Sequence, residues 1–366
     1  MSAVTGPAAF VRPELRELHA YTLEQSACRF KLDQNEVPWD LPQRLKRLAL
    51  DRLAGSDWAR YPDFHADELR LALSERHQWP IEGILAGNGS NELLGICLEA
   101  VCRPGTEVLG CLPSFGLYEM FVRRAGGRSC FLEPRPDLRL PLDELMEEVA
   151  RDPRRPVLLC TPNNPTGAAA SPDQLGELAR SLEAPLLLDN AYGEFCRWDY
   201  RPLLRQHPNL VLFRTFSKAW SLGGMRLGYL LASPDLVAEL IKVKLPYNLN
   251  HAAIAAGLAA LAGAQVAERR VRVLTARREQ WREMMVSHGL HVYPSEGNFL
   301  LVSVEPVLAS NQGLAQAVRS LRDGLSDRGI LVRDVSGYPG LAGCFRVGVG
   351  NGAALRATRS ALEEIL

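Results

Sequence analysis

RTFSKAWSLGGMRLGY, residues 214–229, is the stretch of sequence that decides the fold. Its single lysine, Lys218, lies next to the hydroxyl residues Thr215 and Ser217, and Arg226 follows eight positions later. A lysine amine can form a Schiff base with an aldehyde, and hydroxyls together with an arginine can bind a phosphate. The stretch therefore predicts a site in which Lys218 holds a phosphorylated aldehyde.

The composition of the chain is that of an ordinary globular protein. It has 366 residues, of which 47% are hydrophobic and 23% charged, and its 42 basic residues balance its 42 acidic ones. A net charge of zero gives no indication of binding to nucleic acid or to a membrane surface through bulk charge. No apolar run approaches the ~18–20 residues that cross a bilayer, and the N-terminus lacks the basic start and apolar core of a signal peptide. We therefore expect a cytoplasmic protein.

Eight cysteines are spread along the chain, and none forms a CxxC pair. Most lie in apolar segments that are predicted to be strands or helices. We expect reduced cysteines in the core rather than disulfides or a metal site.

Between about residues 80 and 245, short apolar runs alternate with helix-like segments. This alternation predicts an α/β fold with a largely parallel sheet that is covered on both faces. The predicted strands are residues 107–112, 128–132, 157–161, 185–189, 210–215 and 225–232. The last of these follows its predecessor too closely for a helical crossover, so we expect it to run antiparallel.

The chain beyond residue 250 reads differently. A long helical segment over residues 251–288 is followed by strands near 291–293 and 298–304, a helix over 313–327, strands at 330–335 and 344–348, and a final short helix. This order predicts a smaller α+β domain, which the N-terminal 40 or so residues are expected to join.

Two motifs place polar side chains at the carboxyl ends of predicted strands, where ligands bind in a parallel sheet. PNNPTG, residues 162–167, fixes its backbone with two prolines and presents the amide of Asn164; the alternative is a rigid turn.

Asp189 ends a strand of three leucines, and a carboxylate there needs a cationic partner such as a pyridinium nitrogen. An N-cap aspartate is the alternative for Asp189. Tyr192, three residues on, can donate to a phenolate oxygen.

Further candidates lie in other segments. GNGSNE, residues 87–92, opens a predicted helix, and its backbone amides can bind an anion, although an ordinary glycine turn with Ser90 as N-cap is the alternative. Phe115 can stack on a ring or pack in the core. Arg346 lies inside an apolar strand, and Arg333 lies thirteen residues earlier, where it could instead pair with a nearby acid. Guanidinium groups bind carboxylates and phosphates with two hydrogen bonds.

Together these residues resemble the fold-type-I pyridoxal-phosphate aminotransferases over nearly the full length of the chain, and within that family they are most similar to the histidinol-phosphate aminotransferases. The matching pieces, in order, are residues 32–38, 60–63, 87–92, 113–118, 162–167, 189–195, 214–229, 246–250, 297–300, 329–334 and 346–350. The resemblance implies a mostly parallel seven-stranded sheet between helices, with a smaller α+β domain. We expect an N-terminal arm at residues 1–45, a large domain at 46–250 and a small domain at 251–366.

The resemblance also implies roles for individual residues. The catalytic residues are expected to be Lys218, which carries pyridoxal 5'-phosphate, Asp189 on the ring nitrogen, and Tyr192, with Asn164, on the ring oxygen. Phe115 is expected to stack on the ring. The expected phosphate site comprises Ser90, Asn91, Ser217 and Arg226, with Tyr61 supplied by the partner of a homodimer, and Thr215 is expected to be a further cofactor-binding residue. The expected substrate residues are Tyr21, Asn35, Arg333 and Arg346.

The implied reaction transfers the amino group of histidinol phosphate to 2-oxoglutarate, a step of histidine biosynthesis. The chain departs from the family pattern at Asn190, where glutamate is usual, at residues 221–224 and at residues 351–354. These departures remove no chemical group from the mechanism, but they leave the substrate open. An aromatic amino-acid aminotransferase and a threonine-phosphate decarboxylase are alternatives on the same fold. A non-catalytic module would need a fused DNA-binding segment, and a dehydrogenase would need a GxGxxG pattern.

Overall fold

The computed structural model describes residues 6–16, 18, 20, 28–308 and 313–366. The described strands are β1 Phe30–Lys31, β2 Ile84–Gly87, β3 Glu107–Cys111, β4 Arg128–Leu132, β5 Val157–Cys160, β6 Leu186–Asp189, β7 Leu210–Thr215, β8 Gly228–Leu231, β9 His291–Val292, β10 Phe299–Ser303, β11 Ile330–Leu331, β12 Arg333–Asp334 and β13 Cys344–Gly348. The described helices are α1 Pro13–Arg16, α2 Gln43–Ala54, α3 Asp67–His77, α4 Ser90–Val101, α5 Tyr118–Arg124, α6 Leu142–Arg151, α7 Pro172–Ser181, α8 Pro234–Leu240, α9 His251–Ala262, α10 Ala264–Ser287, α11 Glu305–Leu308, α12 Leu314–Asp327 and α13 Gly352–Ile365.

The largest sheet has seven strands in the order β2-β8-β7-β6-β5-β3-β4. Strands β3 to β7 are parallel to one another, whereas β8 runs antiparallel to both β7 and β2. Strands β5, β6 and β7 are buried along their whole length, because helices cover both faces of the sheet. The predicted α/β fold, its seven-stranded sheet and the antiparallel last strand are confirmed.

Two smaller sheets lie outside the large one. A four-stranded sheet has the order β12-β13-β10-β9, and a two-stranded sheet pairs β1 with β11. The parallel pairing of Phe30 with Ile330 ties the N-terminal segment to the C-terminal part of the chain. Residues 30 and 31 therefore pair with residues 330 and 331, near the C-terminal end of the chain.

The observed elements differ from the prediction at three places. The helical segment over residues 251–288 is two helices, because Gly263 ends α9 and any side chain there would lie 2.3 Å from Leu45. The predicted strand at residues 330–335 is divided between two sheets, as β11 and β12. The final helix, Gly352–Ile365, has 14 residues and is not short.

Candidate active site

A cavity of about 140 Å³ opens at the carboxyl ends of β5, β6 and β7, beside the N-terminus of α4. Its wall comprises Ser90, Asn91, Phe115, Cys160, Asn164, Asp189, Ala191, Tyr192, Thr215, Ser217, Lys218 and Arg226. Ten of the eleven residues that the sequence assigned to cofactor binding are in this wall. They come together because each ends a strand, follows one, or begins a helix at this edge of the sheet.

Lys218 lies between the cavity and the N-terminal segment. Its Nζ donates a hydrogen bond to the backbone carbonyl of Gln34 over 2.7 Å and lies 5.7 Å from the centre of the Tyr192 ring. Burial, reinforced by the positive charge of Arg346, lowers the pKa of the Lys218 amine to about 7. A large fraction of this amine is therefore neutral near pH 7, and a neutral amine can act as a nucleophile or a base.

Asp189 is a buried carboxyl at the end of β6, with two donors already in place. The hydroxyl of Tyr118 donates to its Oδ2 over 2.7 Å, and the backbone N–H of Ala191 donates to its Oδ1 over 3.1 Å. Burial raises the pKa of Asp189, while the Tyr118 hydrogen bond and the positive charge of Lys218 act in the opposite direction. A cationic nitrogen in the cavity would give this carboxylate the partner it needs.

Tyr192 and Asn164 supply the other polar groups of the wall. The Tyr192 hydroxyl accepts a hydrogen bond from the side-chain amide of Asn35 over 3.0 Å, and burial raises its pKa, so it stays protonated. Asn164 accepts a hydrogen bond from Nη1 of Arg346 through Oδ1. The amide of Asn164 is thereby oriented by a residue of β13, from another sheet.

One end of the cavity is built to bind an anion. The first turn of α4 presents Ser90 and Asn91, and Nη1 of Arg226 donates to the hydroxyl of Ser217 over 3.3 Å. Gly89 has φ +77°, and a side chain there would lie 2.8 Å from the Arg226 guanidinium. Glycine is thus required for the close approach of Arg226 to the helix N-terminus. Backbone amides, hydroxyls and a guanidinium are together groups that can bind a phosphate.

The two predicted substrate arginines lie on neighbouring strands. Arg346 on β13 is directly opposite Arg333 on β12, and their side chains therefore leave the sheet on the same face. Arg346 is buried, and its Nη2 donates to the backbone carbonyl of Asp33. Through Asn164 it is in contact with the cavity wall, and Arg333 lies next to it.

Three other residues expected at the site are not part of this cavity wall or lie outside the described residues. Tyr61 does not line the cavity: it is 79% exposed and stacks on Tyr247 with ring centres 4.5 Å apart. Asn35, expected near the substrate, contacts Tyr192. Tyr21 lies outside the described residues.

Asn190, where glutamate is usual, is buried and makes two side-chain hydrogen bonds. Its Oδ1 accepts from Nη1 of Arg214 over 2.7 Å, and its Nδ2 donates to the carbonyl of Thr161 over 2.6 Å. Arg214 keeps a carboxylate partner in Glu194, at 2.8 Å. The substitution therefore leaves no buried charge without compensation.

Sequence reasoning did not identify Tyr118 and Cys160 as residues of the site. Tyr118 is the first residue of α5 and reaches Asp189 from a position 71 residues away in sequence. Cys160 ends β5, and burial raises the pKa of its thiol, which is therefore protonated. The position of Cys160 at a strand end was a usable signal, whereas the contact of Tyr118 needs the tertiary structure.

These groups fit pyridoxal phosphate. That molecule has an aldehyde, a ring nitrogen, a phenolic oxygen and a phosphate, and the cavity presents one protein group or cluster for each. Lys218 suits the aldehyde, Asp189 the nitrogen, and Tyr192 with Asn164 the oxygen. The glycine-lined turn before α4, with Arg226, suits the phosphate.

The comparisons with known proteins agree with this geometry. Residues 29–362 match the family described as aminotransferase class I and II. This chain belongs to that family. The matched residues cover most of the chain and include every residue of the cavity wall, so the family applies to the protein as a whole.

Individual relatives carry a more specific name. The chain is 35% identical to a histidinol-phosphate aminotransferase of Chlorobium phaeovibrioides over 345 residues, covering 93% of this chain and 92% of the relative. It is also 35% identical to the Roseiflexus castenholzii protein of the same name, covering 100% and 99% of the two chains. The crystal structure of histidinol-phosphate aminotransferase from Sinorhizobium meliloti, in complex with pyridoxal 5'-phosphate, superposes with a TM-score of 0.85 at 25% identity, covering 100% and 98%.

Proposed function

We propose that this protein is a pyridoxal-phosphate-dependent aminotransferase that transfers the amino group of histidinol phosphate to 2-oxoglutarate. The observation that carries the proposal is the arrangement of Lys218, Asp189 and the Arg226 anion site in one cavity, with Arg346 bonded to its wall. Relatives named histidinol-phosphate aminotransferase, similar over almost the whole chain, support the substrate and the place in histidine biosynthesis.

The bound cofactor supplies an electrophilic carbon for the substrate amine and a ring that accepts electrons when the substrate Cα–H bond breaks. Lys218 would hold the cofactor through its aldehyde, and the lowered pKa of its amine suits a base near neutral pH. Its Nζ would take up the proton from the substrate Cα and donate it again to complete the transfer of the amino group. Asp189 would hold the ring nitrogen in its protonated form, and Tyr192 would orient the ring oxygen.

Arg346 and Arg333 are proposed to bind the anionic groups of both substrates. Histidinol phosphate has a phosphate and no carboxylate, whereas glutamate has two carboxylates. Guanidinium groups accept either anion with two parallel hydrogen bonds, so one arginine pair can serve both half-reactions. Asn35 supports substrate binding as well, because its buried Oδ1 has no hydrogen-bond partner among the described residues and can accept one from a substrate.

We further propose a homodimer in which Tyr61 completes the phosphate site of the partner subunit. Tyr61 does not line its own cavity, and with Phe64 and Tyr247 it forms a cluster of partly exposed aromatic rings. Exposed aromatic side chains grouped at one place are typical of protein interfaces.

The division into an N-terminal arm at residues 1–45, a large domain at 46–250 and a small domain at 251–366 stays a prediction, as does the cytoplasmic location. All eight cysteines are free thiols, which is typical of a reducing compartment. Within the described residues, no helix combines the length and the apolar character that crossing a membrane requires.

A panel of amino donors tests the proposed substrate. Histidinol phosphate, phenylalanine, tyrosine and threonine phosphate are each supplied with 2-oxoglutarate, and glutamate and carbon dioxide are measured separately. We expect glutamate from histidinol phosphate with the highest kcat/KM. A higher kcat/KM for phenylalanine or tyrosine would instead favour an aromatic amino-acid aminotransferase, and carbon dioxide from threonine phosphate would indicate the decarboxylase.

A further inference from the structure

Tyr118 connects two walls of the cavity without lining it. It is 2% exposed at the start of α5, and its hydroxyl donates to Oδ2 of Asp189 over 2.7 Å. Its ring packs edge-on against Phe115, with ring centres 5.5 Å apart. Phe115 lines the cavity, where it would stack on the cofactor ring, so one tyrosine contacts both Phe115 and Asp189.

The Tyr118 hydroxyl keeps its proton and is therefore available as a donor to Asp189. Burial, reinforced by the negative charge of Asp189, raises the pKa of Tyr118 well above its ordinary value. In turn, the Tyr118 hydrogen bond is the strongest influence that opposes the burial-induced rise in the pKa of Asp189. A donated hydrogen bond favours the charged form of a carboxyl.

We propose that Tyr118 is a positioning residue that keeps Asp189 ionised and oriented and, through Asp189, keeps the ring nitrogen of the cofactor protonated. The inference rests on the proposed use of pyridoxal phosphate but not on the identity of the amino donor. Because one oxygen of Asp189 already accepts from Ala191 and the other from Tyr118, rotation of the carboxylate is restricted before the cofactor binds. Loss of the Tyr118 hydroxyl removes one of these two restraints.

The test is the variant Tyr118→Phe, which keeps the aromatic packing and deletes the donor. Both proteins are loaded with pyridoxal phosphate labelled with ¹⁵N in the ring, and the nitrogen chemical shift is followed against pH. In the variant the pKa of Asp189 rises, so the shared proton moves from the ring nitrogen toward the carboxyl. We expect a protonated shift in the parent protein and a shift toward the unprotonated value in Tyr118→Phe.

Steady-state kinetics gives a second readout. Loss of a hydrogen bond to a charged group in Tyr118→Phe should lower kcat by about 10- to 100-fold. The KM for the amino donor should stay unchanged within about threefold. The acid limb of the pH profile of kcat moves to higher pH. With N-methyl pyridoxal phosphate, whose ring carries a permanent positive charge, the ratio of the kcat values of the two proteins should approach one.

Tyr229→Phe is the matched control, because Tyr229 is fully buried and its hydroxyl is hydrogen-bonded to Nε2 of His77 at 2.8 Å, outside the cavity wall. It should change stability without moving the nitrogen shift. If Tyr118→Phe does not fold, 3-fluorotyrosine at position 118 keeps the packing, strengthens the donor and should increase protonation of the ring.

The outcomes separate the two proposals. Failure of the parent protein to bind pyridoxal phosphate would refute the proposed function itself. Binding by both proteins with the same nitrogen shift and the same kcat would refute the role of Tyr118 alone. A loss of kcat that N-methyl pyridoxal phosphate does not reduce would also overturn it, because the effect would then not pass through the ring nitrogen.

Discussion

Asn35 donates its side-chain amide to the hydroxyl of Tyr192 over 3.0 Å, and the two residues lie 157 positions apart in sequence. Asn35 has φ 55°, a left-handed conformation that asparagine tolerates better than most residues. Its backbone carbonyl accepts a hydrogen bond from the side chain of Asn298 over 2.9 Å. The N-terminal segment, the cavity wall and the start of β10 therefore meet at one asparagine.

Asn35→Gly is expected to lower the affinity for the cofactor, because Tyr192 loses the hydrogen bond that orients its hydroxyl. Glycine keeps the left-handed backbone and deletes the amide donor. Loss of a neutral hydrogen bond of about 1 kcal/mol predicts a fall of about fivefold in cofactor affinity, measured by titration of the apoenzyme.

A double-mutant cycle with Tyr192→Phe tests whether Asn35 acts through Tyr192. The double variant should bind the cofactor no more weakly than Tyr192→Phe alone. Gln78→Gly is the control, because Gln78 is an exposed residue at φ 49°, away from the cavity. An additional loss in the double variant that appears only in KM for histidinol phosphate would show that Asn35 contacts the substrate directly.

The cavity wall could be predicted from the sequence because most of its residues lie within a few positions of a strand end or a helix start. Asn164, Asp189 and Thr215 follow or end buried parallel strands, whose carboxyl ends meet at one edge of the sheet. The local sequence pattern is then sufficient to predict that these distant parts of the chain meet.

Contacts between side chains from unrelated elements could not be predicted in that way. The bonds of Tyr118 to Asp189 and of Asn35 to Tyr192 depend on how helices and loops pack on the sheet. The close packing at Gly263 is of the same kind: an alanine-rich run favours a continuous helix, but α9 ends at Gly263, where a side chain would lie 2.3 Å from Leu45. Such effects belong to tertiary structure.

Lys218 should capture pyridoxal phosphate with a pH dependence governed by its lowered pKa. Only the neutral amine attacks an aldehyde, so the rate of capture by the apoenzyme should rise through a midpoint near pH 7 and level off above it. An ordinary lysine would show its midpoint near 10.4. The measurement is the absorbance change on mixing apoenzyme with the cofactor at a series of pH values.

Arg346→Gln tests the electrostatic part of this shift. Arg346 is the second cause of the low pKa after burial, and removal of its positive charge should move the midpoint of capture to higher pH. Arg346→Lys, which keeps the charge, is the matched control. An equal midpoint in all three proteins would show that the charge of Arg346 does not contribute to the low pKa.

Arg333→Ala should discriminate against the phosphorylated donor. If Arg333 binds the phosphate of histidinol phosphate, its loss removes a charge-assisted hydrogen bond and lowers kcat/KM for that donor by about 10- to 100-fold. The activity with phenylalanine should fall much less. Arg328→Ala is the control, because Arg328 lies at the surface and pairs with Glu364 at 2.9 Å. Equal losses for both donors would contradict a phosphate role for Arg333.

Subunit complementation tests whether Tyr61 acts in the partner's site. Lys218→Ala should abolish multiple turnover, and Tyr61→Ala should lower activity at limiting cofactor. In a dimer formed from one subunit of each variant, one site carries both substitutions and the other carries neither. Random mixing makes half of the dimers mixed, so about a quarter of the sites should be intact and activity should return to about that level.

The same mixing experiment contains its own control. Lys242→Ala replaces an exposed lysine that pairs with Glu239, and this variant should retain full activity alone or mixed. If Tyr61 served its own subunit, mixed dimers of Lys218→Ala and Tyr61→Ala would contain no intact site. Activity would then stay at the level of the separate variants, and the shared site would be excluded.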